Sequence, residues 1–161
     1  MVREDGEQLY LCFEGFALTE CNDWVRENVL PLLPKKGDAA WVTQAEARKA
    51  ILAFCGDRPQ LWASCGAYDH VVLCQVFGTM VNLPKGWPYW THDLQYLMEI
   101  TGTKKADLPE QVGTEHDALQ DAIHLRDCWN HIAGKALHPS DGLTDVTDRR
   151  LVAADDTQEG R

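Results

Sequence analysis

The sequence predicts an α/β domain, on three observations. Two runs rich in aromatic and apolar residues, 8–16 (QLYLCFEGF) and 61–65 (LWASC), have the length and the flanking turn residues of strands. Elsewhere apolar residues recur every three or four positions, the spacing of helices with one buried face. The resulting order of strand, helices, strand, helix, helix, helix favours helices layered on a sheet.

Each element has a local reason. Asp5-Gly6 is a hairpin-turn signal before the first strand. Such a turn joins two strands, yet only residues 1–4 precede it, so part of the hairpin is expected to be missing. Asn22-Asp23-Trp24 opens a short helix that reaches Val29-Leu30 and stops near Pro31 and Pro34. Thr43 with Glu46 has capping-box spacing; Ala47, Ala50, Ile51 and Phe54 follow on one face, and Gly56 supplies the stop. After the strand at 61–65, residues 68–77 predict a helix with Val72, Leu73, Val76 and Phe77 on one side. Residues 83–89 form a loop, Thr91 or Asp93 caps a helix ending at Gly102, and 103–113 is again a loop. The strongest helix is expected from about Glu115 to Ile132, with Ala118, Ala122, Leu125, Trp129 and Ile132 on one face and Gly134 as its end. The chain thus divides into a domain at 1–134 and an acidic tail at 135–161, poor in large apolar residues and expected to be disordered.

Composition narrows the function. The 161 residues fit one domain, and 45% hydrophobic content is enough for one core. Fifteen basic against 25 acidic residues give a net charge of −10. That balance repels phosphate and excludes a general nucleic-acid coat protein. It suits an enzyme that meets nucleic acid through divalent cations, whose ligands are oxygens. The six cysteines form no C-x-x-C pair and have apolar neighbours, so buried free thiols in a reducing compartment are expected. Residues 1–8 lack the apolar stretch of a signal peptide, and no apolar run reaches ~18 residues, so a cytoplasmic protein with no membrane partner is expected.

Two acidic clusters carry candidate chemistry. Asp69 follows the strand at 61–65, at a strand-to-helix junction of the kind where α/β sheets bind ligands. The second cluster, Glu115-His116-Asp117-Ala118-Leu119-Gln120-Asp121, opens the last helix. On a helix His116 and Asp121 lie about 140° apart, flanking a bound group rather than pairing. Asp117 and Asp121, four apart, repel unless a cation sits nearby. Each residue also has an ordinary role: Asp69 as a helix cap, Glu115 and Asp117 as partners of the helix dipole, and His116 as an exposed histidine.

The stretch LWASCGAYD, the following HVVLCQ and the stretch HDALQDA together resemble the DEDDh 3′–5′ exonucleases, specifically the ribonuclease-T-like exoribonucleases of actinobacteria and their phages. Trp24-Val25-Arg26 through Val29-Leu30-Pro31 and residues 91–98 fit the same subgroup, so the resemblance spans the chain to about Ile132. It implies a ribonuclease-H-like mixed sheet flanked by helices, with four acids holding two Mg²⁺ (or Mn²⁺) ions. It implies Asp69 and Asp121 as the third and fourth of those acids and His116 as general base. It implies a single-stranded RNA 3′ end as substrate, with DNA the alternative, release of nucleoside 5′-monophosphates, and pairing into homodimers as in relatives.

The family's first motif, D-x-E-F on the first strand, is absent. Cys12-Phe13-Glu14 is the nearest match, but only 15–23 separate it from Trp24, too short for the family's intervening hairpin. Residues 8–16 instead resemble the third strand, and the first two strands are expected to be missing. Little or no nuclease activity is then expected of residues 1–161 alone, which keeps open a catalytically inert, RNA- or partner-binding nuclease fold. The His92-Asp93 and His116-Asp117 dipeptides suit an all-helical HD phosphohydrolase, against which the strand-like runs count. A cysteine hydrolase built on Cys65 or Cys74 with His116 lacks any neighbour that would activate the thiol.

Overall fold

In the computed structural model, which describes residues 1–15 and 17–137, the Asp5-Gly6 turn forms as expected. Val2 faces Gln8 in an antiparallel bridge, the Arg3 N–H donates to the Glu7 carbonyl (2.8 Å), and Leu9 N–H donates to the Met1 carbonyl (2.9 Å). Gly6 takes the positive φ (93°) that the turn requires.

The strand expected over 8–16 is shorter in the structure. Beyond the Gln8 bridge, Cys12–Phe13 (β1) forms its one strand among the described residues, and it pairs in parallel with Trp41–Val42 (β2), a strand that the sequence reading missed. Cys12 lies opposite Trp41 and Phe13 opposite Val42. Between them comes α1 (Asp23–Asn28), whose first turn is capped by the Asn22 side chain accepting from the Val25 N–H. The helix α2 (Gln44–Cys55) begins with the expected capping box: Glu46 accepts from the Thr43 N–H, and the Thr43 hydroxyl accepts from the Glu46 N–H.

The strand β3 (Trp62–Ala63) runs parallel to β4 (His92–Asp93), with Trp62 opposite His92 and Ala63 opposite Asp93. Each leads directly into a helix: β3 into α3 (Gly66–Phe77) and β4 into α4 (Leu94–Thr101). The last helix is α5 (Ala118–Leu137). Among the described residues the result is a mixed α/β structure of five α-helices and two separate two-stranded parallel sheets. No helix among them is long and apolar enough to cross a membrane.

Two apolar clusters hold these elements. The first joins Ala47 and Ile51 of α2, Cys74 and Val76 of α3, and Leu83 and Trp87 of the loop that follows, with Phe13 and Val42 packed against it. The second joins Leu94 and Met98 of α4 to Cys128 and Ile132 of α5. Burying such side chains is the main favourable contribution to folding.

Several expectations are corrected. On α3, Val76 is buried and Leu73 and Phe77 pack against the first cluster as expected, but Val72 is exposed and Cys74 is buried in its place. The last helix starts at Ala118 rather than Glu115 and continues through Gly134 to Leu137. Its most buried positions are Cys128 and Ile132, whereas Ala118 is exposed. The boundary at 134 therefore falls inside α5, and most of the expected disordered tail, 138–161, lies outside the described residues. Of the cysteines, Cys12, Cys74 and Cys128 are buried as expected, but Cys65 is exposed.

Candidate active site

Because β3 and β4 are parallel, their C-terminal ends lie at the same edge, and so do the helix starts that follow. Asp93 ties those starts together. One carboxylate oxygen accepts from the Gln95 N–H at the head of α4, and the other from the Gly66 N–H at the head of α3, both at 2.8 Å. The approach is close: a Cβ on Gly66 would lie 3.3 Å from the His92 and Thr91 carbonyl oxygens. Sequence reasoning saw Asp93 as one of two alternative caps for α4; its second bond, 27 residues back along the chain, leaves no local signal.

Asp69 stands in the first turn of α3, the N-cap being Cys65 in a left-handed conformation (φ 61°). Asp69 is thus not the N-cap, and Cys65 at that position makes no side-chain capping bond. The Asp69 side chain is exposed at the surface, yet partial burial pushes its carboxyl above the ordinary carboxylate range, and the charge of Asp93 pushes the same way. The next residue, His70, shares a hydrogen bond between Nδ1 and the Thr91 hydroxyl (3.1 Å), while its Nε2 is buried without a partner.

The other two sequence-predicted residues stand at the head of α5. His116 precedes the helix, in a left-handed conformation (φ 68°), so the helical angle to Asp121 does not apply. Its exposed ring meets the edge or face of Trp24 from α1 at 4.9 Å and 79°. Asp117 is the cap: it accepts from the Leu119 and Gln120 N–H groups, both at 2.9 Å. These bonds fit the helix-dipole role weighed for Asp117. Burial, and then the neighbouring Cys12 thiol, push Tyr10 up to about 12; burial also pushes up Cys12, and the charge of Asp117 adds only the smallest contribution to each. Asp121, exposed in the first turn of α5, accepts from the Gln111 amide at 2.7 Å. Neither Trp24 nor Gln111 carries a sequence signal for these contacts.

Asp69, His116 and Asp121 therefore have separate immediate neighbours, with no hydrogen bond or ion pair joining them among the described residues. No group of three or more His, Cys, Asp or Glu side chains among those residues is arranged to hold a metal ion. The other chemistries weighed gain nothing. The paired strands contradict an all-helical HD phosphohydrolase, in which His92 would be a ligand; here its ring stacks on Trp62 at 4.7 Å. Cys74 is buried, and neither it nor Cys65 bonds to His116.

The model of the Rv2179c-like 3′–5′ exoribonuclease domain matches residues 23–133, from the start of α1 to the last turns of α5. The chain belongs to this family. It is also 37% identical over 126 residues to the 3′–5′ exoribonuclease Rv2179c of Mycobacterium tuberculosis (strain ATCC 25618 / H37Rv), an alignment covering 76% of this chain and 74% of that protein. The same figures hold for the 3′–5′ exoribonuclease MT2234.1 of M. tuberculosis strain CDC 1551 / Oshkosh. The family match encloses Asp69, His116 and Asp121, and also the contacts that Trp24, Asp93 and Gln111 make with this part of the structure.

The raised Asp69 carboxyl yields a test within the family domain. A group whose folded-state pKa exceeds its unfolded value adds stability below the unfolded value, and that stability is lost as pH rises through the folded value. The charged Asp69 thus opposes folding at neutral pH. Asp69→Asn is expected to raise the thermal midpoint of the metal-free chain at pH 7, with the gain vanishing below about pH 3.8, the ordinary value. An unchanged or lowered midpoint at pH 7, measured by circular dichroism, would show that the carboxylate is not under this strain.

Proposed function

We propose that this chain carries the catalytic part of a metal-dependent 3′–5′ exoribonuclease of the DEDDh type, with a ribonuclease-H-like fold, acting on single-stranded RNA 3′ ends. The observation that carries the reading is the family match, which includes the H-x-x-x-x-D stretch from His116 to Asp121 at the head of α5. Asp69 and Asp121 would serve as two of the metal-holding acids. Two bound divalent ions, Mg²⁺ or Mn²⁺, would supply charge stabilisation on the reacting phosphate.

The donor set in hand is incomplete for such ions, since the described residues form no three-ligand group. The D-x-E-F motif is also absent from the 161 residues. The reading therefore requires two further carboxylates, brought to the site on a strand beyond those described. The separation of β1–β2 from β3–β4 supports that requirement, because a strand between them would join the two sheets. In this arrangement Asp93 holds the heads of α3 and α4 in register, and Gln111 orients the Asp121 carboxylate. The His116 imidazole, exposed and with neither nitrogen hydrogen-bonded among the described residues, would accept the proton of the attacking water.

The test compares RNA labelled at its 5′ or 3′ end, with Mg²⁺ or with EDTA. The 161-residue polypeptide alone is expected to degrade RNA little. A form extended at its N-terminus by a D-x-E-F strand and its return strand is expected to shorten RNA stepwise from the 3′ end, releasing nucleoside 5′-monophosphates. Internal cleavage, or an extended form that stays inert, would end the proposal. The incomplete donor set also favours a second reading, an RNA- or partner-binding domain without catalysis. That reading expects no stabilisation of the extended form by Mg²⁺ or Mn²⁺ in a thermal melt.

A further inference from the structure

The loop between α3 and β4 separates two kinds of aromatic residue. Trp87 is 5% exposed; its indole N–H donates to the Gly56 carbonyl (2.9 Å), and its ring meets Phe77 edge-on at 5.5 Å. Two and three residues on, Tyr89 is 62% exposed and Trp90 59% exposed. Trp90 is nonetheless held from beneath. Its ring meets His92 at 6.4 Å and 87°, His92 stacks on Trp62 at 4.7 Å, and Trp62 meets Trp129 of α5 at 6.0 Å. This chain of rings runs from the second apolar cluster to the surface and presents Trp90 without covering it.

The surroundings carry basic side chains. The same loop carries Lys85, and its Gly86 lies against the turn at Asp57-Arg58: a Cβ there would sit 3.1 Å from the Asp57 carbonyl and 3.4 Å from the Arg58 side chain. Lys85 and Arg58 are exposed, and neither is ion-paired among the described residues. Asp57, next to Arg58, is the acidic residue that partly offsets them. In a chain of net charge −10, two exposed, unpaired cations on the loop that carries two exposed rings and on the turn packed against it fit a polyanion that offers flat faces.

We propose that Tyr89 and Trp90, with Lys85 and Arg58, form an accessory site for single-stranded RNA, the rings stacking on unpaired bases and the cations facing phosphates. Sequence-tolerant binding of single strands uses this combination. The site rests on the exoribonuclease reading only for its choice of ligand. Three residues span at most about 10 Å, so Trp90 lies within that reach of Asp93 and one RNA strand could touch both this surface and the heads of α3 and α4.

The test uses the full chain in EDTA, so that binding is read without cleavage. The probe is a fluorescein-labelled oligouridylate of about twelve nucleotides, followed by fluorescence anisotropy. Trp90→Ala is expected to weaken binding about ten-fold, equivalent to about 1.4 kcal/mol, and Trp90→Phe to stay within about two-fold of the parent. Lys85→Gln is expected to lower the slope of log affinity against log salt by about 0.7. Circular dichroism melts confirm that each variant is folded. Equal affinity of parent and Trp90→Ala overturns the proposal, as does a parent that does not bind the probe. A Trp90→Ala variant that binds RNA normally but loses self-association in sedimentation also overturns it, in favour of an interface between copies. Loss of binding in Trp90→Ala supports the site even if the extended chain proves catalytically inert, so the two readings fail separately.

Discussion

Replacing His116 by asparagine in an extended, RNA-degrading form is expected to lower turnover by roughly 10²–10⁴-fold, the usual contribution of a positioned general base. RNA affinity in EDTA should stay within about two-fold. Asparagine is the informative choice because His116 sits at φ 68°, a left-handed conformation that asparagine tolerates better than alanine. The turn before α5 and the Asp117 cap should therefore survive, while the proton acceptor is lost. His116→Ala would mix loss of the base with backbone strain, and comparing thermal midpoints of the two variants separates these effects. An unchanged turnover for His116→Asn would remove His116 from the mechanism. A fall in affinity as large as the fall in turnover would make it a binding residue instead. Asp121→Asn differs in kind: it removes a proposed metal-holding charge but keeps an acceptor for the Gln111 amide.

Much of the local structure was legible because it depends on local chemistry. Thr43 with Glu46, Asn22 at the head of α1, Asp93 at the head of α4 and Gly102 after it are all contacts within a few residues. The burial of Trp87, by contrast, depends on Gly56 and Phe77. The strand at 41–42 was missed because two residues carry no periodicity; it exists through its pairing with Cys12–Phe13, far away in sequence. The start of α5 was misplaced for a related reason. Glu115 and His116 look like a helical first turn, but Asp117 closes the helix start two residues later, and His116 is left in the turn. The candidate site divides in the same way. Asp69, His116 and Asp121 stand out by residue type and spacing, whereas Trp24, Gln111 and the second bond of Asp93 come only from long-range packing.

The largest effect on stability is expected at Trp87. Truncation to alanine removes a nearly fully buried ring from the cluster that joins α2, α3 and β1, a change that costs about 3–5 kcal/mol in comparable cores. It also leaves the Gly56 carbonyl, which follows α2, without its indole donor. Against a total stability of roughly 5–15 kcal/mol, this brings the chain close to unfolding, with a thermal midpoint lower by roughly 10–20 °C. Trp87→Phe keeps most of the apolar contact with Phe77 and loses the hydrogen bond, so a cost of about 1–2 kcal/mol is expected. Trp90→Ala, three residues away and solvent-exposed, should change stability by no more than about 0.5 kcal/mol. Urea titration of the three variants measures this directly. Similar midpoints for Trp87→Ala and Trp90→Ala would mean that the loop does not distinguish a core residue from a surface one, and both the packing assignment of Trp87 and the free ring faces of Trp90 would have to be abandoned.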